Sequence, residues 1–209
     1  YNKAKQYYEL SAQQNNSDAF NNLGDLYYNG YGVEQDYNKA KEYYELSAQQ
    51  NNSDAFNYLG NLYYNGSGVK QDYHKAKEYF ESSIKDDNIL AYANMGNLYR
   101  KLKDYLLSMK YYKLAAQNNN SEALYKIGNL YLKGRDVEKS YIKAKDFYEQ
   151  SAKMNNSKAL FKLGKLYYNG QGVCTNYRKA KEYYELSGRQ GNSKALFEIG
   201  TLYFEGQRD

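Results

Sequence analysis

The chain has 209 residues, a formal net charge of +5, one histidine, one cysteine and no proline or tryptophan. The lone Cys174 excludes an internal disulfide framework and a cysteine-built zinc site, and the lone His74 excludes a histidine-rich metal cluster. No run of about 18 apolar residues exists, so nothing reads as membrane-spanning. No charged-then-apolar leader opens the chain, which begins at Tyr1 inside a repeating pattern, as a segment of a longer protein does; compartment is left open.

Leu, Ile, Val and Phe total only 37 residues, a fraction that alone suggests disorder. The 29 tyrosines reverse that expectation, since their rings bury a large apolar face while the hydroxyl stays near water. Charge is uneven. Residues 1–104 carry 11 Lys and Arg against 14 Asp and Glu, a net of −3, whereas residues 105–209 carry 18 against 10, a net of +8. The C-terminal half is the part that attracts an acidic partner.

In chain order, residues 1–16 read as the second half of a repeat. The stretch SDAFNNLGDLYY at 17–28 places Ala19, Phe20, Leu23, Leu26 and Tyr27 at three- and four-residue spacing, which predicts a helix. A glycine loop, YYNGYGV, follows at 27–33. A second helix is predicted over YNKAKEYYELSAQQ at 37–50, with Tyr37, Ala40, Tyr44 and Ser47 on one face. The pattern recurs on Gly24, Gly60, Gly96, Gly128, Gly164 and Gly200, spaced by 36 residues except for one step of 32. Repeats therefore span 17–52, 53–88, 89–120, 121–156 and 157–192, and residues 193–209 form the first half of another. Such short helices are marginal alone and must be held by stacking.

Gly24 and its equivalents lie mid-helix, at a loss of about 1 kcal/mol in propensity against alanine, which fits a Cβ that would strike a partner helix. Ala4, Ala40, Ala76, Ser108, Ala144 and Ala180 play the same part on the second helices. The triplet NNS before each first helix (15–17, 51–53, 119–121, 155–157) supplies Asn and Ser for an N-cap, and also spells an N-glycosylation sequon, as does Asn65-Gly66-Ser67.

The glycine loop could cradle a phosphate or stop a helix. A phosphate loop follows a strand and opens a helix, usually with Gly-Lys-Ser/Thr, whereas this loop follows a helix. Gly30, Gly66, Gly134 and Gly170 stand where a left-handed residue closes a helix C-terminus. The second glycine and Val33, Val69, Val137 and Val173 then turn the chain back between the helices.

The residues Ala19, Leu23, Gly24, Leu26, Tyr27, Gly30, Gly32, Val33, Asp36, Tyr37, Lys39, Ala40, Tyr43, Tyr44, Ser47 and Ala48 form a pattern that resembles the Sel-one-like repeat, a relative of the tetratricopeptide repeat. The resemblance covers essentially the whole chain. It implies one all-α domain over 1–209, a right-handed α-solenoid of stacked antiparallel helix pairs with about twelve helices. It also implies protein- or peptide-binding adaptor roles. The third unit departs from the pattern: RKLKDY, between Tyr99 and Tyr105, is a short turn of tetratricopeptide length without either glycine, so a local change of superhelix is expected at 100–105.

Catalytic chemistry finds few candidates. Cys174 and His74 lie three repeats apart, on the order of 30 Å at roughly one helix diameter per layer, far beyond hydrogen-bond reach. His74 occupies a column that also holds Asn38, Ile142 and Arg178, as a surface variant does. Most carboxylates recur beside lysines as solvated i, i+4 pairs. No catalytic residue, cofactor site or metal site is assigned.

The resemblance implies that first helices line the concave side. The second, fifth, ninth and twelfth residues of each share a face by helical geometry. These are Asp18, Asn21, Asp25 and Tyr28, then Asp54, Asn57, Asn61 and Tyr64, then Leu90, Ala93, Asn97 and Arg100. The later units give Glu122, Tyr125, Asn129 and Leu132, then Lys158, Phe161, Lys165 and Tyr168, then Lys194, Phe197, Thr201 and Phe204. The face thus runs from acidic and amide-rich to basic and aromatic. Lys158 and Lys194 sit in a first helical turn, where a cation is disfavoured by the macrodipole. A solvated face under no constraint explains them, and so does an anionic ligand, carboxylate or phosphate, beside Phe161, Tyr168, Phe197 and Phe204. Asn57, Asn61, Asn97 and Asn129 have the form of a carboxamide ladder for a peptide backbone.

The expected function is a non-enzymatic scaffold whose groove takes a protein or peptide, the C-terminal half suiting acidic or phosphorylated ligands. Its rivals are a small-molecule-binding protein or enzyme, and a nucleic-acid binder through the basic half, which a steep salt dependence distinguishes.

Overall fold

The computed structural model describes residues 1–86 and 88–206, which contain twelve α-helices and no strand. They fall into two compact units, Tyr1–Leu102 and Lys103–Asp209. The first holds α1 (Asn2–Ala12), α2 (Ser17–Asn29), α3 (Tyr37–Ala48), α4 (Ser53–Asn65), α5 (Tyr73–Lys85) and α6 (Ile89–Lys101). The second holds α7 (Tyr105–Gln117), α8 (Ser121–Lys133), α9 (Tyr141–Lys153), α10 (Ser157–Asn169), α11 (Tyr177–Arg189) and α12 (Ser193–Phe204). Within each unit every helix packs on its neighbours in sequence, and the two helices of one repeat make the most extensive contacts. No helix is long and apolar enough to cross a membrane among the described residues.

The first helices that follow an Asn-Asn-Ser or Gly-Asn-Ser triplet start alike. The second asparagine of the triplet is the N-cap: Asn16, Asn52, Asn120, Asn156 and Asn192 have extended backbones and accept a first-turn amide on Oδ1. The first asparagine does something else. Asn15, Asn51, Asn119 and Asn155 lie at φ of 61°, 59°, 60° and 59°, and Gly191 takes that place before α12 at φ 81°. A left-handed turn residue is what the position needs, and Asn and Gly are the residues that tolerate it. Serine, expected as part of the cap, is instead the first helical residue. Its carbonyl accepts a hydrogen bond from the buried serine ending the second helix of the same repeat: Ser47 to Ser17 at 2.8 Å, and Ser83 to Ser53, Ser151 to Ser121 and Ser187 to Ser157 at 2.7 Å each. Replacing Ser83 by alanine leaves the Ser53 carbonyl without that buried donor, so thermal unfolding is expected to register a loss of about 1 kcal/mol. An unchanged midpoint in a calorimetric scan would show that this clasp contributes nothing.

The glycine loop is a helix stop. Gly30, Gly66, Gly134 and Gly170 have φ of 72°, 74°, 62° and 64° and end their helices. The second glycine has a separate task. A Cβ on Gly68 would lie 2.6 Å from Tyr37 Cβ, and one on Gly172 2.7 Å from Tyr141 Cβ. The loop therefore rests on the first residue of the preceding repeat's second helix. In the third repeat Lys103, at φ 65°, makes the short turn, and the division between the two units falls there.

The core is aromatic, as the tyrosine count implies. Tyr44, Tyr112, Tyr148 and Tyr184 are at most 1% exposed, with Phe80 in the equivalent place on α5. The rings of Tyr44, Phe80, Tyr148 and Tyr184 each fill the space that a mid-helix glycine leaves open. A Cβ on Gly24, Gly60, Gly128 or Gly164 would lie 2.4–2.5 Å from the ring of Tyr44, Phe80, Tyr148 or Tyr184. Ala40, Ala76, Ala144 and Ala180 are fully buried beside them.

Candidate functional site

The residues expected to line one binding face divide by depth. In the first unit Asn57 is 4% exposed, and its Oδ1 accepts from Asn94 Nδ2 at 2.8 Å. Asn61 and Tyr64 are half-buried, the Tyr64 ring tilted against Tyr73 at 5.8 Å, and Asn97 is also half-buried. Arg100 is exposed. In the second unit Asn129 is half-buried and accepts from the Tyr148 hydroxyl at 2.9 Å. A ladder of four free carboxamides is therefore not present, because at least two of these amides are engaged inside the fold.

The ninth-residue column is where the buried tyrosine hydroxyl emerges after crossing the glycine. Tyr44 donates to Asp25 Oδ1 at 2.7 Å as Tyr148 does to Asn129. Burial pushes the Asp25 carboxyl above the usual range, against the opposing hydrogen bonds of Tyr44 and Tyr58. Burial and the nearby Asp25 charge likewise push Tyr58 up to about 12. Where the second-residue column is acidic it ties a repeat to the next, because the capping asparagine's own amide donates to it. Asn52 Nδ2 reaches Asp18 at 2.9 Å, Asn88 reaches Asp54 at 2.6 Å and Asn156 reaches Glu122 at 3.3 Å.

Both columns change character on α10, where lysine replaces the acceptor. With Lys158 in the second column, Asn192 Nδ2 turns instead to Ser187 Oγ at 2.9 Å. With Lys165 in the ninth, the Tyr184 hydroxyl is buried without a hydrogen-bond partner. The lysines themselves differ. Lys158 Nζ pairs with Glu122 at 3.1 Å, and Lys165 Nζ with Glu198 at 3.3 Å. For Lys158 this answers the opposition of the helix dipole: a carboxylate one repeat away receives the ammonium. Burial raises the Glu122 pKa, but hydrogen bonds from Lys158 and Asn156 and the charge and hydrogen bond of Lys126 outweigh it and hold the carboxyl below its ordinary value.

Lys162 and Lys194 make no ion pair or hydrogen bond through their ammonium groups to any described residue. Lys162, one helical turn beyond Lys158, is half-buried, and burial together with Lys165, Lys133 and Lys194 depresses its pKa. It escapes a face defined by columns two, five, nine and twelve, because its long stem reaches the same surface from the sixth position. Two adjoining recesses, of 470 and 460 Å³, meet between α10 and α12 and share Phe161, Lys162, Ser193 and Lys194. Tyr125 borders the first and Phe197 the second. Phe161 is half-buried with its ring 5.8 Å from that of Tyr184, whereas Phe197 is 73% and Phe204 93% exposed. Tyr168 is engaged: its hydroxyl donates to Glu205 at 2.7 Å and its ring meets Tyr177 edge-on at 5.5 Å. Of the expected residues, the structure thus gathers Tyr125, Lys158, Phe161, Lys165, Lys194 and Phe197 around one surface and adds Lys162.

The Sel1 repeat profile matches residues 1–16, 17–52, 53–88, 121–156 and 157–192, and a tetratricopeptide repeat profile matches 89–122, the repeat with the short turn. No curated relative matches the sequence. A Sel1 repeat protein from Oxalobacter formigenes is 31% identical with a TM-score of 0.83, over 92% of this chain and 80% of that one. The c5321 protein of uropathogenic Escherichia coli, a protective antigen with the same repeat fold, is 28% identical with a TM-score of 0.80 over 97% of this chain. This chain spans 44% of the length of c5321. The Pseudomonas aeruginosa immunity protein Pa5087, at 24% identity and a TM-score of 0.64 over 88% of this chain and 72% of that one, shares the fold. Repeats of this kind typically serve protein–protein interaction and are generally non-catalytic scaffolds. With five profile matches over most of its length, and glycine sockets, left-handed stops and stacked helix pairs in both units, the chain belongs to the Sel1 repeat family.

Proposed function

We propose that this chain is a non-catalytic adaptor that captures a protein or peptide segment on the surface of α10 and α12, and that the segment is acidic or phosphorylated. The observation that carries this reading is the pair of lysines, Lys162 and Lys194, left without an internal acceptor beside Phe161 and the exposed Phe197. Lys162 is half-buried, and an unpaired, partly desolvated cation is unfavourable on its own, which a ligand carboxylate or phosphate offsets; Lys194, which is exposed, adds a second ammonium group beside it. The adjacent rings supply the apolar contact that anchors a peptide.

The test is a titration of an acidic, fluorescein-labelled peptide against the 209-residue chain, followed by anisotropy. Replacing Lys162 and Lys194 together by alanine is expected to weaken binding by at least about tenfold, as loss of two charge-assisted contacts does, while far-ultraviolet circular dichroism stays the same. Undiminished affinity in this variant removes the reading. Lys158→Glu is the poorer test, since it would set a second carboxylate beside Glu122, which Lys158 now neutralises at 3.1 Å.

A further inference from the structure

Resting on that reading, the charges between α10 and α12 specify the ligand more narrowly. Lys158 and Lys126 are each paired with Glu122 at 3.1 Å, and Lys165 with Glu198 at 3.3 Å, so the two glutamates are already engaged. Two ammonium groups, those of Lys162 and Lys194, remain unmatched, and both line both recesses. A carboxylate carries one negative charge, whereas a phosphomonoester carries ≈ −1.5 to −2 at neutral pH with three acceptor oxygens. Lys126, Lys158, Lys162, Lys165 and Lys194 exceed Glu122 and Glu198 by three positive charges, and that surplus suits a phosphomonoester better than a single carboxylate.

One further donor and a helix start adjoin the same place. Ser193 lines both recesses and is exposed, and its hydroxyl makes no hydrogen bond to any described residue. It is also the first residue of α12, the helix end whose partial positive charge favours an anion. Burial and three neighbouring lysines hold the Lys162 pKa below its ordinary value, so an arriving dianion relieves an existing repulsion. Glu122 and Glu198 are already neutralised by Lys126, Lys158 and Lys165, so a nucleic-acid backbone is distinguished from a peptide by competition with an oligonucleotide. Phe161 and Phe197 adjoin the lysines and offer apolar contact to a residue next to the phosphate.

We infer that Lys162, Lys194 and Ser193 form a seat for a single phosphomonoester, presented by a phosphoserine or phosphothreonine that has an apolar neighbour in a peptide.

The experiment uses the peptide Gly-Asp-Ser-Phe-Leu-Asp-Gly, fluorescein-labelled, with its serine free, phosphorylated or replaced by glutamate, titrated against the 209-residue chain. The phosphorylated form is expected to bind about tenfold tighter than either other form. Lys162→Met and Lys194→Met are each expected to reduce that preference to about twofold or less, Lys162→Arg to retain most of it, and Lys179→Met to leave it unchanged. The arginine variant, with melting curves for all four, separates loss of the seat from loss of fold. Equal binding of the three peptides, or a preference that survives Lys162→Met, overturns the phosphate seat while leaving acidic-peptide capture standing. Binding of none overturns both. Displacement by inorganic phosphate as potent as by the phosphopeptide, or equal competition by a single-stranded oligonucleotide, overturns the assignment to a peptide.

Discussion

Gly164→Ala is expected to destabilise the second unit by up to about 2 kcal/mol net, whereas the same change at Gly200 is expected to stabilise it. Both glycines lie in the same column of their helices, and alanine is the better helix former by about 1 kcal/mol at each. At Gly164 the new methyl would lie 2.4 Å from Tyr184 Cε1, and that ring is fully buried, so neither partner can withdraw without repacking the pair of helices. Overpacking of this kind typically costs about 1–3 kcal/mol, more than the propensity gain. At Gly200 nothing lies within 4 Å of the added methyl, so the gain of roughly 0.5–1 kcal/mol stands alone. Calorimetric midpoints of the two variants should therefore move in opposite directions. A rise at Gly164 would mean that the ring does not occupy the glycine's space.

Tyr44→Phe is expected to cost about 1.5–3 kcal/mol at neutral pH, the range for a hydrogen bond to a charged group, because it withdraws the 2.7 Å donor from the half-buried Asp25 carboxylate. The pH dependence has a definite sign. Burial has already raised the folded-state pKa of Asp25, so ionising it opposes folding. Removing the Tyr44 hydroxyl raises that pKa further. The variant's deficit is thus fullest above its folded Asp25 pKa and shrinks as pH falls through that value, since a protonated carboxyl no longer needs the donor. Tyr184→Phe is the internal control. Its hydroxyl is buried without a partner, so its removal should leave stability unchanged or slightly improved. Denaturant midpoints across pH 4 to 8, about the window of carboxylate titration, measure both. A flat deficit for Tyr44→Phe would show that Asp25 does not carry the effect.

Most of the scaffold was legible in the letters because it depends on local chemistry repeated at a fixed spacing. Tyr37 and Tyr44 at helical intervals, Gly30 past a last turn and Asn16 before a first one each state a backbone preference that neighbours in sequence suffice to express. Repetition then strengthens each reading, so helix order, the glycine stops and the stacking of pairs followed without coordinates. Even the exception at 100–105 was visible as a missing loop, and the boundary between the two units lies there.

The functional surface was legible only in outline, and its electrostatics were decided in three dimensions. Helical spacing put Lys158, Phe161 and Lys165 on one face of their helix and Lys194 and Phe197 on one face of theirs, yet it offered four asparagines as a carboxamide ladder without showing that the Oδ1 atoms of Asn57 and Asn129 already accept from Asn94 and Tyr148. It also offered Lys158 together with Lys194 as cations for an anionic ligand, whereas Lys158 pairs with Glu122, and it passed over Lys162. The reason is range. A repeat's own sequence fixes which way its helix faces, but whether a charge is matched depends on a carboxylate 36 residues away for Lys158 and 33 for Lys165, across the contact between layers. Only the stacked structure sets those distances, and so only it shows which lysines remain for a ligand.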